Sequence, residues 1–125
     1  MIISIDIDDT ITAAPSLFEV ISSSEQINRC IVVSSRSNDS DTRSETEKEL
    51  RLLNIHYNKL YLLESYEYAD HHCPHRELDW HQRYLWQKVD ICLKESVDIV
   101  FEDDEKVIKL FKSYAPDIKI FQVHK

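Results

Sequence analysis

Three aspartates follow an apolar run at the beginning of the chain. The segment MIISIDIDDTIT places Asp6, Asp8 and Asp9 within four positions, directly after residues that are apolar enough to form a buried strand. Carboxylates crowded at a strand end repel one another and lose hydration, so we expect them to share a cation. Mg²⁺ prefers oxygen ligands of this kind and can in turn recruit a phosphate group. The spacing therefore predicts phosphate chemistry at a magnesium site.

Polar side chains also end two later apolar runs. Ser34 and Ser35 close the run RCIVVS, and Glu102, Asp103 and Asp104 follow VDIVF. Because the carboxyl ends of parallel strands meet at one edge of a sheet, we expect these residues to gather with the first aspartates. A hydroxyl and a lysine there would complement the charge of a phosphate. One carboxylate can then attack phosphorus to form an aspartyl-phosphate, while a second protonates the leaving oxygen.

Short β-branched runs alternate with amphipathic stretches along the chain. The pattern predicts strands over 2–7, 29–34, 59–63, 97–101 and 118–123, and helices over 16–23, 42–53, 81–93 and 104–114. The segment 64–80 is expected to be a loop. This alternation predicts an α/β fold, a three-layer Rossmann-like parallel sheet of about five strands with helices on both faces.

Length and composition limit the possible classes of protein. The 125 residues predict a single domain over 1–125, and a hydrophobic fraction of 42% is that of a globular protein. The net charge of −8 makes an extended nucleic acid an unexpected partner, although a local basic patch can still bind one phosphate group. We expect no membrane span and no signal peptide, and hence a cytoplasmic location. The three cysteines are expected to be reduced.

The chain contains no glycine. This excludes a P-loop and a glycine-rich dinucleotide motif. Backbone positions that need positive φ must therefore fall to Asn or Asp. The asparagines at predicted turns are Asn28, Asn38, Asn54 and Asn58, and Asn54 is expected to end a helix.

The sequence resembles the haloacid dehalogenase superfamily, which consists chiefly of Mg²⁺-dependent phosphatases and phosphotransferases. The first motif of that family, Asp-x-Asp-x-Thr after a hydrophobic strand, is matched by DIDDT at 6–10. The second, a Ser or Thr that closes the next strand, is matched by Ser34. The third, a lysine at or near the start of a helix, is matched by Lys88, with Lys94 and Lys106 as rivals.

The fourth motif of the family is an acidic pair after the following strand. It is matched by Glu102-Asp103, although Glu102 stands where Asp is usual, which leaves Asp103-Asp104 as an alternative metal-binding pair. The resemblance implies that Asp6 is the nucleophile and a metal ligand. It also implies that Asp8 is the general acid and base and binds the metal through its backbone carbonyl. Ser34 and Lys88 are the other implied catalytic residues.

Further residues are candidates for binding the substrate. Thr10, Ser35, Arg36 and Arg43 carry hydroxyl or guanidinium groups that suit a phosphate, although both arginines can equally be exposed residues without a role. Asp9 occupies a position where the family commonly has glycine.

The segment YADHHCPHRELDWH collects histidines and a cysteine. It contains His71, His72, Cys73, His75 and His81, which are suitable zinc ligands. Cys73-Pro74-His75 is similar to the Cys-x-His that begins a zinc-binding loop in a related phosphatase branch, but the Cys-x-Cys that completes that site is missing. The segment is thus either a zinc site at Cys73 and His75 or a surface loop.

The expected substrate is a small phosphorylated molecule. About two dozen residues separate Asp8 from Ser34, too few for a helical cap domain, so we expect a minimal cap or none. The layout also looks like the phosphatase domain of bacteriophage polynucleotide kinases and like small nucleotidases, which implies a nucleotide or a polynucleotide 3′-phosphate. The aromatic residues that can stack on a base, or simply pack in the core, are Tyr66, Tyr68, Trp80 and Trp86.

The sequence therefore supports an Mg²⁺-dependent phosphomonoester hydrolase that works through Asp6. The alternative is a catalytically weak binding or regulatory module of the same fold, with or without a zinc-binding loop.

Overall fold

The computed structural model of the protein describes residues 1–124. The strands are β1 (Ile2–Ile5), β2 (Arg29–Ser37), β3 (Lys59–Leu63), β4 (Ile99–Glu102) and β5 (Lys119–Gln122). The helices are α1 (Pro15–Ser22), α2 (Ser40–Leu52), α3 (Tyr66–His72), α4 (Trp80–Lys94) and α5 (Glu105–Tyr114).

The five strands form one sheet in which every neighbouring pair is parallel. The strand order is β3-β2-β1-β4-β5, so β1 is central and pairs with β2 on one side and β4 on the other. Ile5 at the end of β1 is in register with Val32 and with Phe101. The predicted three-layer α/β fold is confirmed. The chain reverses its winding direction beside β1, and ligands of such sheets bind at this switch point.

Each face of the sheet is covered by its own apolar layer. Successive residues of a strand point to opposite faces, so Ile31 and Val33 lie in one layer and Val32 lies in the other. Helices α3, α4 and α5 cover the first face, where Leu85, Val89 and Phe111 are buried. Helices α1 and α2 cover the second face, where Phe18 and Leu50 are buried.

All nine predicted elements are present, and only their ends differ. Strand β2 continues beyond the predicted end at 34 to Ser37, past an irregularity in its pairing with β3. The expectation that 64–80 is a loop was wrong over its first half, because α3 lies there. Helix α3 has seven residues and buries only Ala69, so it has no apolar periodicity to predict it. Its first turn is instead stabilised by the Ser65 side chain, which accepts a hydrogen bond from the Tyr68 amide.

Three residues have positive φ among those that the structure describes. Asn54 (φ 58°) follows α2 as predicted, and the other two are Asp9 (φ 60°) and Ser96 (φ 56°). Asp9 therefore adopts the left-handed conformation at a position where glycine would cost least, and aspartate tolerates it better than most residues. Asn28, Asn38 and Asn58 remain outside the left-handed region.

Two expectations from composition concern the cysteines and the membrane. Cys30, Cys73 and Cys92 are all buried and unpaired, in agreement with the prediction that they are reduced. The longest helix within residues 1–124 is α4, with 15 residues, and no helix in this range could cross a bilayer.

Candidate functional site

Acidic residues from two neighbouring strands meet at the switch point. Asp6 directly follows β1, and its amide donates a hydrogen bond to the Phe101 carbonyl of β4 (3.1 Å). Glu102 is the last residue of β4, so its side chain lies at the same edge of the sheet. One carboxylate oxygen from each of Asp6, Glu102 and Asp103 lies within 4.8 Å of the others. These three residues are called the acidic cluster below.

A buried lysine joins the acidic cluster. Lys88 on α4 has a side chain that is only 4% exposed, and its Nζ donates to Asp6 Oδ1 (2.8 Å) and Glu102 Oε2 (2.9 Å). The two rivals lie elsewhere, since Lys94 is exposed and Lys106 lies on the outer side of α5. Lys88 is therefore the lysine that can contact a group bound at the cluster.

The three acidic residues at the end of β4, Glu102, Asp103 and Asp104, form different contacts. Glu102 uses Oε2 for Lys88 and accepts the amides of Asp103 (3.1 Å) and Asp104 (3.2 Å) at Oε1. Asp104 Oδ1 accepts the Lys106 amide (2.8 Å) and caps α5. Asp104 is thus a helix cap and Glu102 a counter-ion for the lysine, so Asp103 is the acidic residue that approaches Asp6.

Thr10 holds Asp6 and Asp103 together. Its hydroxyl lies 3.2 Å from Asp6 Oδ2 and 3.0 Å from Asp103 Oδ1, and Thr10 is fully buried. The irregular turn Ile7–Ile11, with Asp9 in the left-handed conformation, brings the threonine back beneath the strand end. Thr10 was predicted to bind substrate, but the structure places it under the site, where it positions the carboxylates.

The environment shifts the pKa values of the cluster residues in different directions. Burial raises the pKa of Asp6 to about 8, an effect that Lys88 opposes and Glu102 reinforces. The pKa of Asp103 is lowered although burial acts to raise it, because Asp6, Thr10 and Glu102 all form hydrogen bonds that favour its ionised form. For Lys88, burial acts to lower the pKa, but the two carboxylates outweigh it and raise the pKa. Burial thus favours the protonated form of Asp6, whereas the hydrogen bonds of Asp103 favour its ionised form.

The chemistry of the cluster fits a hard divalent cation. Carboxylate oxygens so close together are ligands that Mg²⁺ prefers. Asp6, Glu102 and Asp103 each bring an oxygen to this point and could hold the ion. Both oxygens of Asp6 and both of Glu102 accept hydrogen bonds in this structure, so an ion would share these carboxylates with Lys88 and Thr10. A cation there would favour the ionised form of Asp6, against the effect of burial.

Asp8 lies beside the cluster and is bound by Arg36. Its carboxylate, 58% exposed, receives two hydrogen bonds from the guanidinium, at 2.8 and 3.1 Å. Arg36 also donates to Glu49 Oε2 (2.8 Å) and Thr46 Oγ1 (3.1 Å), and its hydrogen bonds to the carboxylates raise its pKa. The prediction that Arg36 binds a substrate phosphate is not supported by this position, because its guanidinium already serves two carboxylates.

Of the remaining predicted site residues, only Ser35 lines the same cavity as Asp6. Ser34 is fully buried at the end of the regular pairing with β3, and Ser35 is exposed and lines the same cavity as Asp6. Arg43 does not join them, since its guanidinium donates to the Leu60 carbonyl (3.1 Å) beside a separate concavity.

The cluster opens into a cavity of about 560 Å³. Gln122, Val123 and His124 line it as well, and sequence reasoning missed them. The signal was available, because Gln122 ends β5 in register with Glu102 and so reaches the same edge of the sheet. This cavity is called the acidic cavity below.

The histidine and cysteine segment does not gather around a metal position. The Cys73 thiol is buried and lies 4.0 Å from the His75 carbonyl oxygen. The His75 ring packs against the rings of Tyr114 and Trp86, with centroid distances of 3.9 and 5.3 Å. Within residues 1–124 the acidic cluster is the only group of three or more possible metal ligands. The zinc prediction at Cys73 and His75 thus has no third ligand in this arrangement.

Comparison with known proteins identifies relatives of the fold only. No family model matches the chain, and no curated protein is significantly similar to it. A chain in a structure of the Pnkp1/Rnl/Hen1 complex matches with a TM-score of 0.65 and 17% identity, over 97% of this chain and 45% of that chain. A chain in a structure of the Pnkp1/Rnl/Hen1 RNA repair complex matches with a TM-score of 0.64 and 16% identity, over 97% and 41%. The protein spans less than half the length of these two chains.

Proposed function

We propose that the protein is an Mg²⁺-dependent phosphomonoester hydrolase in which Asp6 is the nucleophile. The observation that carries the proposal is the position of Asp6 at the switch point, where a buried Lys88 and Asp103 contact or approach its carboxylate. A nucleophilic carboxylate needs a fixed direction of attack and neighbouring positive charge, and Lys88 supplies both at Asp6 Oδ1.

Asp6 and Asp103 would hold Mg²⁺. When bound, the ion neutralises charge on the phosphate and on the carboxylates around it. Lys88 remains paired with Glu102, so its ammonium stays in place while Asp6 reacts.

The proposed reaction uses two carboxyl groups from the segment that follows β1, those of Asp6 and Asp8. In the first step a carboxylate oxygen of Asp6 forms a bond to phosphorus, the bond to the alcohol oxygen breaks, and Asp8 gives its proton to that oxygen. In the second step water attacks the aspartyl-phosphate, Asp8 accepts a proton from the water, and Asp6 is restored as phosphate leaves. Asp8 lines the acidic cavity and is exposed, so it can reach a leaving group there once it parts from Arg36.

The substrate class we propose is a nucleotide or a polynucleotide 3′-phosphate. Two observations support it: the layout resembles polynucleotide kinase phosphatase domains and small nucleotidases, and a fold neighbour comes from a complex described as RNA repair. The net charge of −8 restricts any nucleic-acid contact to a short local surface.

A turnover assay tests the proposal. We expect phosphate release from a generic aryl phosphate in the presence of Mg²⁺, no release in chelator, and a loss of at least about 10³-fold in Asp6→Asn, because the covalent route is removed. Asp117→Asn, a matched change at an exposed aspartate outside the acidic cavity, should keep wild-type activity. Equal rates in Asp6→Asn and wild type would exclude Asp6 as the nucleophile.

A binding or regulatory module is the second candidate. The observation that favours it is the double hydrogen bond between Arg36 and Asp8, which engages the proposed general acid. Mg²⁺ binding without turnover of any phosphorylated metabolite or 3′- or 5′-phosphorylated nucleotide would support the module and reject the hydrolase.

A further inference from the structure

A second groove lies between the beginning of α4 and one side of α5. It has a volume of about 660 Å³. Helix α4 contributes Trp80 and His81 to its lining, and helix α5 contributes Lys106 and Lys109. None of these residues takes part in the proposed hydrolysis. The groove lined by these four residues is called the α4/α5 groove below.

The aromatic side of the groove is exposed yet firmly supported. Trp80 is 63% exposed, an unusual state for so large an apolar side chain. The Tyr66 ring packs against it with a centroid distance of 4.7 Å, and Tyr66 in turn stacks on the buried Tyr84 at 4.1 Å. The Tyr66 hydroxyl also lies 3.2 Å from His81 Nδ1. An aromatic ring that is held in place on one side and open on the other can stack on a flat ligand at a small entropic cost.

The other side of the groove carries positive charge in an acidic protein. Lys106 and Lys109 are three residues apart on α5 and therefore lie on one face of the helix. Both are exposed, and neither forms an ion pair with an acidic side chain of residues 1–124. The one carboxylate in the groove lining belongs to Asp79, and its Oδ1 accepts the Gln82 amide (2.7 Å) as the cap of α4. The groove thus combines an aromatic surface with a local excess of cations.

The groove and the acidic cavity are lined by different residues of the same two helices. Leu85 and Lys88 of α4 line the cavity, and so does Val107 of α5. Trp80 precedes Lys88 by eight residues, which is about 12 Å along a helix axis. A chain of a few nucleotides is long enough to span this separation, so a ligand with its phosphate in the acidic cavity could also reach Trp80.

We propose that the α4/α5 groove binds the nucleotides next to the terminal phosphate of a single-stranded nucleic acid, with a base on Trp80 and backbone phosphates at Lys106 and Lys109. An aromatic surface beside a basic one is the usual combination for single-stranded nucleic acid, because bases stack and phosphates pair with lysines. The inference rests on the proposed hydrolase and adds the surface that would select its substrate. It is compatible with the net charge, because only a few phosphates are contacted.

The test compares two substrates in variants of the intact chain. The substrates are a 3′-phosphorylated RNA tetranucleotide, which can reach the groove, and glycerol phosphate, which cannot. We expect Trp80→Leu, and separately the double variant Lys106→Gln/Lys109→Gln, to raise KM for the RNA about tenfold. Values of kcat and KM for glycerol phosphate should stay unchanged. In the double variant, the slope of log affinity against log salt should also become flatter by about 1.4, or about 0.7 for each lysine.

Matched controls change exposed residues of the same types outside the groove. Tyr68→Leu removes an exposed aromatic ring of α3, and Lys48→Gln removes an exposed lysine of α2 on the opposite face of the sheet. Both should keep the wild-type KM for the RNA. All the altered side chains are exposed, so we expect every variant to fold. Melting temperatures close to that of wild type would confirm it.

Different outcomes would reject the groove proposal and the proposed hydrolase activity. The groove proposal is overturned if its variants match wild type on the RNA, as expected for a groove that binds a protein instead, or if both substrates are impaired equally. If wild type turns over neither these two substrates nor the aryl phosphate and the other phosphorylated compounds, the hydrolase is rejected, and fluorescence anisotropy of the labelled RNA with Mg²⁺ decides on the groove. Tight binding that the groove variants lose would then support it, and binding that they retain would overturn it.

Discussion

Asp6 is the proposed nucleophile, and its buried carboxyl group also links stability to pH. The residue is 6% exposed, its carboxyl group contacts Lys88, and its pKa is raised to about 8, first of all by burial. Between the unfolded pKa near 3.8 and the folded value, the folded state keeps a proton that the unfolded chain has released. The folded state then binds more protons than the unfolded state. This group therefore makes the metal-free protein less stable as pH rises through that window.

Asp6→Asn should remove this pH dependence. Asparagine resembles the protonated acid, because its oxygen can accept from Lys88 and its amide can donate to Asp103. In chelator we expect Asp6→Asn to be more stable than wild type by at least about 1 kcal/mol at pH 8, with the difference shrinking towards pH 4.5. Urea unfolding of both proteins at several pH values measures it, with Asp117→Asn as the control that should track wild type throughout. A less stable Asp6→Asn protein at pH 8 would contradict this account of the cluster.

Among the secondary-structure elements, α4 has the largest role in the site. It carries Lys88 into the acidic cluster and Trp80 into the α4/α5 groove. Its first turn is fixed by a capping box, in which the Asp79 side chain accepts the Gln82 amide (2.7 Å) and the Gln82 side chain accepts the Asp79 amide (2.9 Å).

Removing the cap should weaken the start of α4. We expect Asp79→Ala to lower the free energy of unfolding by about 1 kcal/mol, because the Gln82 amide loses its side-chain acceptor. The matched control is Asp117→Ala, which removes an exposed carboxylate that caps no helix and should change stability by less than about 0.5 kcal/mol. Chemical denaturation compares the two, and equal stability would show that water replaces the cap at no cost.

At the same scale, the sequence was informative where elements have strong patterns. The strands were predictable because their apolar runs are short and β-branched, and they place Asp6 and Glu102 at one edge. Helix α3 was not predictable, because a helix that buries one residue has almost no pattern. The ion pair between Asp8 and Arg36 was not predictable either. Arg36 lies in the irregular end of β2, whose geometry the local sequence does not specify.

At the scale of the whole molecule, the distribution of charge matters more than its sum. The chain has a net charge of −8, yet its lysines are placed unevenly: Lys88 is buried against two carboxylates, while Lys106 and Lys109 face the α4/α5 groove. A negative charge spread over the surface attracts any cation weakly and is screened by salt, whereas a compact cluster of carboxylates binds a divalent cation specifically.

Mg²⁺ should therefore stabilise the folded protein beyond the effect of ionic strength. An ion present at ten times its dissociation constant that binds only the folded state adds about 1.4 kcal/mol, or about 5 °C in Tm for a domain of this size. The stabilisation should be larger at pH 8.5 than at pH 6, because the proton on Asp6 competes with the ion. Thermal melts in MgCl₂ and in KCl of equal ionic strength separate specific binding from screening. In Asp6→Asn the two salts should give nearly equal Tm values, and a wild-type Tm that is the same in both salts would remove the metal from the proposed mechanism.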